Sequence, residues 1–544
     1  MARTRRCLVG TIVTAGVLLA TAVSAVAETY TLKLTRRETK SVSSDQMSPM
    51  YWVVRPQYFY VQMTADANGR WRPAGPESQA DAFKRIVKKE PKYQSENPFR
   101  GVVKFGSQEY AFALDTAPAP KARKPGAKET AVKAKAKPAA NSEAARPGKT
   151  PAKQAVPVTA FSYNRLYFDF NRNGDLTDDK VVEVPADSNQ SLDLLSAMSY
   201  VRFQFPRTDV TIDVQGTKVD YSFNLEGYAY SSENSCNVMV SVSSAICREG
   251  DITLEGKRHH IVLLDYNSNG RFDDVSKISP DVHLATGQLY PEPGDVLLID
   301  PQTSGAGFDS PYDATTSDFR CPVAEMISID GRWYDLKISP AGDKLTLTPS
   351  TVPLGSVTNR NEAFRALIYG DGKGFLKICG TKDKPIPVPA GQWKLMSYTI
   401  THVDHPAKPA EKAGEKGPAD KAAKAKQGSL FGALVKQFAG TVAAGEGPSY
   451  ACATATEKYK AVTVRKGETV ELPFGPPYTP TVTAMSYGNP DEKAEQLSLQ
   501  MGLVGGGGEE CTNMMVKGSR PGKPDFTITD PAGKVVQQGS FEYG

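Results

Sequence analysis

The sequence predicts a mainly β protein: tandem β-sandwich or β-sheet domains with few short helices, separated by disordered Ala/Lys/Pro linkers. Three observations carry this expectation. Short runs of alternating apolar and polar residues recur between Gly-containing turns, the pattern of strands buried on one face. Helical stripes are few, the clearest being Gln79 to Lys89 with Phe83, Ile86 and Val87 on one side, and Gln190 to Ala197. Two tracts, 116–156 and 406–427, are almost wholly Ala, Lys and Pro and lack the apolar content to fold.

In chain order, Arg3, Arg5 and Arg6 precede an apolar run from Leu8 to about Ala22, and Ala25-Val26-Ala27 follows as a cleavage site. Residues 1–27 therefore read as a signal peptide. This implies a secreted, periplasmic or cell-envelope location with no transmembrane segment after signal removal. An uncleaved anchor and a twin-arginine route stay open. Residues 28–115 and 157–300 form a first β-rich unit with the 116–156 linker inserted, whose span as a flexible coil is roughly 35 Å. Residues 308–405 form a second, marked by the Asp330-Gly331 hairpin and by Gly370 to Gly374 between two strands. After the 406–427 linker, 428–544 reads as a β-sandwich of immunoglobulin-like style. Its leading helix, Ser429 to Gly440, carries an apolar stripe, for packing on the sandwich or docking elsewhere.

The net charge of +5 is carried outside these units. The leader holds +3, the first linker +8 and the second +3, which leaves −9 on the remainder. A nucleic-acid-binding fold would carry positive charge on a structured face, so that class is excluded. The basic linkers instead fit contact with anionic cell-envelope material. Six cysteines follow the leader, and their spacing allows one local pair per unit, 236–247, 321–379 and 452–511, with buried thiols as the alternative.

The most informative stretches are Asp169-Phe-Asn171-Arg-Asn173-Gly174, followed by Asp178-Asp179, and Asp265-Tyr-Asn267-Ser-Asn269-Gly270, followed by Asp273-Asp274. Oxygen-bearing side chains at alternate positions, then a glycine at a sharp turn, suit a hard cation that needs six or more oxygens. An ion-free turn rich in Asn and Asp is the other reading. Each loop follows a hairpin pattern, Gly101 to Asp115 in the first copy and Gly250 to Asp265 in the second, so the unit reads as duplicated.

Over about eleven residues each, the loops resemble those of EF-hand and dockerin-type calcium modules. The resemblance implies calcium, with side-chain ligands Asp169, Asn171 and Asn173, and Asp265, Asn267 and Asn269. It also implies backbone carbonyls from Asp175 and Arg271. Where those families close the site with an acid, this chain has Lys180 and Ser276, so closure falls to Asp178 or Asp179 and to Asp273 or Asp274. Few carboxylates per loop imply weak sites, about 10⁻⁴ to 10⁻³ M. The whole chain resembles exported bacterial multidomain β-proteins with such loops.

Catalytic signals are sparse. His259 and His260 are adjacent in an expected strand and face opposite ways, and no nucleophile or zinc-protease motif occurs. The sequence therefore points to an exported structural or binding protein of adhesion or scaffold type with calcium-braced loops. The alternative is a hydrolase or accessory module acting on cell-surface polysaccharide or peptide.

Overall fold

In the computed structural model the described residues are 26–36, 53–66, 70–74, 79–116, 158–184, 192–195, 198–232, 235–283, 286–301, 314–361, 363–370, 372–402, 449–487 and 496–543. Nearly all of both linkers, the Ser429 to Gly440 stripe and residues 1–25, which cover nearly all of the expected signal peptide, lie outside them. The chain is built almost wholly of antiparallel sheets. Among the described residues there is one α-helix, Ala80–Ile86, shorter than the stripe suggested and held by buried Phe83. The second expected helix is a correction: Leu192–Leu195 is a strand paired with Met198–Gln204. A four-residue strand gains ladder bonds from a ready neighbour, whereas a helix that short does not offset its nucleation cost.

The amino-terminal half is a sandwich. One layer runs Trp71–Pro73, Gln57–Ala65, Ser235–Ser244, Thr217–Ser232, Met198–Gln204, Leu192–Leu195, with Thr208–Val214 paired to the start of Thr217–Ser232. The facing layer runs Phe99–Phe105, Gln108–Asp115, Arg165–Phe168, Val182–Glu183. Alternation decides the inner faces: Phe59, Phe203, Tyr221 and Phe223 point inward from the first layer and Phe105, Phe112 and Phe168 from the second. Phe59 meets Phe112 edge-on at 5.3 Å, and Phe168 meets Phe223 at 5.0 Å. Such pairs add about 0.5–1.5 kcal/mol each beyond area burial.

A third sheet, Arg320–Pro322, Val296–Ile299, Lys257–Leu264, Ile246–Leu254, Lys33–Arg36, joins the same core through Ile252, Ile261 and Leu263. The duplication can be read in register. In the second copy Ile246–Leu254 turns at Glu255-Gly256 (φ 50° and 81°) into Lys257–Leu264, then the loop, then Val296–Ile299 on the other side. In the first copy Gln108–Asp115 pairs with Arg165–Phe168, then the loop, then Val182–Glu183. Residues 116–164 thus connect in the first copy the two strands that a two-residue turn joins in the second. The expected equivalence of the Gly101 to Asp115 hairpin is corrected by one strand.

Strand pairing also runs across the unit limits expected from sequence. Glu28–Thr31 pairs with Lys344–Pro349, and Val296–Ile299 with Arg320–Pro322. Gly391–His402 pairs with Ser449–Thr454 inside one eight-stranded sheet, so the 406–427 linker separates chain segments but not sheets. A second core around Trp393, Tyr398, Phe364 and Leu395 collects residues from both sides of that linker. Composition marks where a chain cannot fold, whereas sheet membership depends on edges that distant segments find.

The expected 236–247 disulfide is excluded. Cys236 opens the Ser235–Ser244 strand and Cys247 lies beyond its end, roughly 25 Å along extended chain, against the less than 7 Å between Cα atoms that a disulfide spans. Cys321 and Cys379 line one cavity, and Cys452 and Cys511 sit on paired strands, with Ala453 opposite Cys511.

Candidate metal centres

Both loops leave the end of a core strand and adopt one backbone. Arg172 and Ser268 occupy the left-handed region at φ 59° and 58°, and Gly174 and Gly270 follow at 82° and 81°. The left-handed residue at the fourth position turns the chain back over the first aspartate, which lies fully buried in each copy. A side chain at Gly270 would strike Ile212 and the backbone of Gly106, so glycine is required by space as well as by φ.

The first aspartate does the same work in both. Asp169 Oδ1 accepts the N–H of Asn173 at 3.1 Å, and Oδ2 that of Gly174 at 3.0 Å. Asp265 Oδ1 accepts from Asn269 at 3.0 Å, and Oδ2 from Gly270 at 2.9 Å. Asn173 Oδ1 and Asn269 Oδ1 then hold the N–H groups of Asp175 and Arg271 at 2.6 and 2.9 Å. The following acids close the ring: Asn173 Nδ2 donates to Asp178 at 2.7 Å, and Asn267 and Asn269 Nδ2 both donate to Asp274, at 3.1 and 2.6 Å.

The copies diverge in charge and depth. The first is near the surface: Asn171 and Asn173 are exposed, and Lys89 reaches Asp175 at 2.8 Å, holding its carboxyl down to about 2. The second lies deeper. Tyr221 Oη donates to Asp265 at 2.6 Å, burial pushes the Asp265 carboxyl up to about 7, and nearby Asp274 adds to the rise. Asp273 is occupied by Arg271 at 2.7 Å, and burial raises it too.

Sequence reasoning missed Asp295. It is fully buried and accepts the N–H of Tyr266 at 3.0 Å and that of Asp274 at 2.8 Å. Burial first, then Asp265 and Asp274, drive its carboxyl well above the usual range. Asp179 plays this part in the first loop, accepting the N–H of Phe170 at 3.2 Å from within the loop itself. Asp295 is supplied instead by Glu292-Pro-Gly-Asp, at the start of the next strand. The only signal for it was an acid beside a Pro-Gly turn.

The donor set of the second loop fits a hard cation. Asp265, Asp274 and Asp295 crowd one another, and Asn267 Oδ1 is buried with no hydrogen-bond partner. Among the described residues no three His, Cys, Asp or Glu side chains group as a metal site by themselves, so amide and backbone oxygens would have to complete it.

Elsewhere, His259 is 2% exposed, with Nδ1 2.7 Å from Asp300 and Nε2 3.2 Å from Asp330, while His260 faces outward to Asp251. His259 borders a cavity of about 500 Å³ that Cys321, Trp333, Lys377 and Cys379 also line. Burial raises both thiols, which disfavours the nucleophilic thiolate. Comparison with family models, with curated proteins and with solved structures finds no match to this chain.

Proposed function

We propose that this is an exported structural or binding protein of adhesion or scaffold type, whose two Asn/Asp loops take calcium and brace the amino-terminal sandwich. The observation that carries the reading is the repetition of one loop geometry at two strand ends, each with a buried aspartate at its first position. In the second loop Asp265, Asn267, Asn269, Asp274 and Asp295 would hold the ion. There it relieves the crowding of buried carboxylates and gives Asn267 Oδ1 a partner. In the first, Asp169, Asn171, Asn173 and Asp178 or Asp179 would do so at a shallower, weaker site. The basic linkers would hold the chain to anionic envelope material.

Equilibrium dialysis against millimolar calcium tests this. Two ions per chain are expected, and Asp169→Ala and Asp265→Ala should each remove one. A wild-type chain that retains none refutes the reading.

The hydrolase alternative rests on the Asp300–His259–Asp330 cluster beside its cavity. Turnover of a polysaccharide or peptide substrate that disappears in His259→Ala would support it over the structural reading.

A further inference from the structure

The outer face of the seven-stranded sheet carries tyrosines where its inner face carries the core. Successive residues on a strand point to opposite faces. Phe59, Val238, Ala229 and Val201 therefore go inward, and Tyr58, Tyr60, Tyr228, Tyr230 and Tyr200 go outward from three strands. The register places them in rows across the sheet: Tyr60, Met239, Tyr228, Arg202 in one, and Gln62, Asn237, Tyr230, Tyr200 in the next. Tyr200 and Tyr228 lie 5.9 Å apart between ring centroids and Tyr228 and Tyr230 6.1 Å, so the rings form one platform. Tyr60 and Tyr228 stand two strands apart, about 10 Å, the span of a disaccharide unit.

The platform is amphipathic, and its second row continues beyond Tyr200 to the register position of Asp193. Its Arg202 and Glu226 neutralise each other at 2.9 Å. Tyr60 donates to Asn237, and Tyr228 to the Met239 sulfur at 3.4 Å. Burial raises the Tyr60, Tyr200 and Tyr228 hydroxyls, which keep their protons as donors. Tyr58 and Tyr60 remain 56% and 49% exposed, more than a solvated sheet needs of its aromatics. An anionic partner finds no unpaired cation among the residues of these rows, since Arg202 is held by Glu226. A flat sugar ring offers C–H groups to an aromatic face and hydroxyls to the amides around it.

We infer that this tyrosine face is a binding platform for an uncharged, flat, β-linked polysaccharide, with Tyr58, Tyr60, Tyr228 and Tyr230 stacking on sugar rings and Asn237 and Gln62 bonding their hydroxyls. The site is separate from the calcium loops and goes beyond their bracing role. Retention of the full chain on microcrystalline cellulose and chitin, with titration by cellohexaose and chitohexaose, tests it. The wild type should be retained at high salt. Tyr60→Ala and Tyr228→Ala should each weaken binding about tenfold, as loss of one stacked aromatic predicts, while Tyr60→Phe should keep most of it. The shift in melting temperature that calcium produces, measured on the same variants, should stay at the wild-type value, so a failure here is separable from a failure of the calcium reading. Because Tyr58 and Tyr60 are the most exposed members, Tyr58→Ala/Tyr60→Ala gives a second variant that leaves the core intact. No retention of the wild type on either polymer overturns the inference. So does equal retention of the alanine variants, or sedimentation showing that the face instead joins two copies of the chain.

Discussion

Substitution of Asp265 separates the bracing done by hydrogen bonds from that proposed for an ion. Its carboxylate accepts three bonds inside a fully buried site, from Asn269 N at 3.0 Å, Gly270 N at 2.9 Å and Tyr221 Oη at 2.6 Å. Ala strands all three donors, and at about 1–3 kcal/mol for each buried unpaired group, with partial relaxation, the loss is roughly 3–6 kcal/mol. Asp169→Ala strands less. Asn173 N keeps the Asn171 oxygen at 2.9 Å, so only Gly174 N is left, for about 1–3 kcal/mol. Asp265→Asn retains an acceptor oxygen, and the Tyr221 hydroxyl can turn to accept, so its cost in chelator should be about 1–2 kcal/mol. Thermal melts in EDTA followed by near-UV circular dichroism read these differences. For a core of this size the alanine loss corresponds to roughly 6–20 °C. Calcium should raise the melting point of wild type and leave Asp265→Asn with the shift of one loop only. Asp265→Ala melting with the wild type in EDTA, or Asp169→Ala as the more damaging change, would refute the reasoning.

Other outcomes follow from the same geometry. Glu509 is fully buried and accepts from Tyr398 at 3.1 Å, Gly475 N at 2.7 Å and Gly507 N at 2.9 Å. Glu509→Ala should therefore destabilise the carboxy-terminal sheet by roughly 3–5 kcal/mol, read as an earlier transition that leaves the calcium response unchanged. Lys257 holds the Asp330 carboxyl below the usual range. A carboxylate depressed on folding adds stability above the unfolded value of about 4 and loses it as pH falls through the folded one. The small deficit of Asp330→Asn at neutral pH should therefore vanish in acid, and a deficit that grows in acid contradicts the assignment. Retention of the full chain on anionic wall or membrane material should fall with salt and be lost on deleting 116–156 and 406–427. Salt-independent retention places that contact in the sheets.

The loop backbone was legible because a turn built on Asn and Asp side chains is a local device. Alternate Asx residues and the glycine at the sixth position fix its backbone, and the structure repeats that backbone to within a degree or so of φ. Hairpins at Glu255-Gly256 and Asp330-Gly331 were legible for the same reason. Non-local choices were not. Asp295 enters the second loop from 30 residues beyond Asp265, through a register that only the third sheet defines. Leu192–Leu195 carries a helix-compatible composition and became a strand because an edge was open beside it. The tyrosine alternation at Tyr58/Tyr60 and Tyr228/Tyr230 is visible as a period of two, but nothing in it says which face meets the core. The 236–247 pairing failed because even spacing says nothing of distance along an extended strand.

The central claim, that calcium braces the duplicated loops, is tested most directly by melting the full chain in EDTA and in millimolar calcium. An ion that binds only the folded loops adds RT ln(1 + [L]/Kd), about 1.4 kcal/mol per site at ten times Kd. The wild type should melt several degrees higher with calcium, and Asp169→Ala/Asp265→Ala should show no difference. Superimposable wild-type melts across a calcium range reaching ten millimolar, about ten times the weakest dissociation constant expected of such loops, would contradict the account.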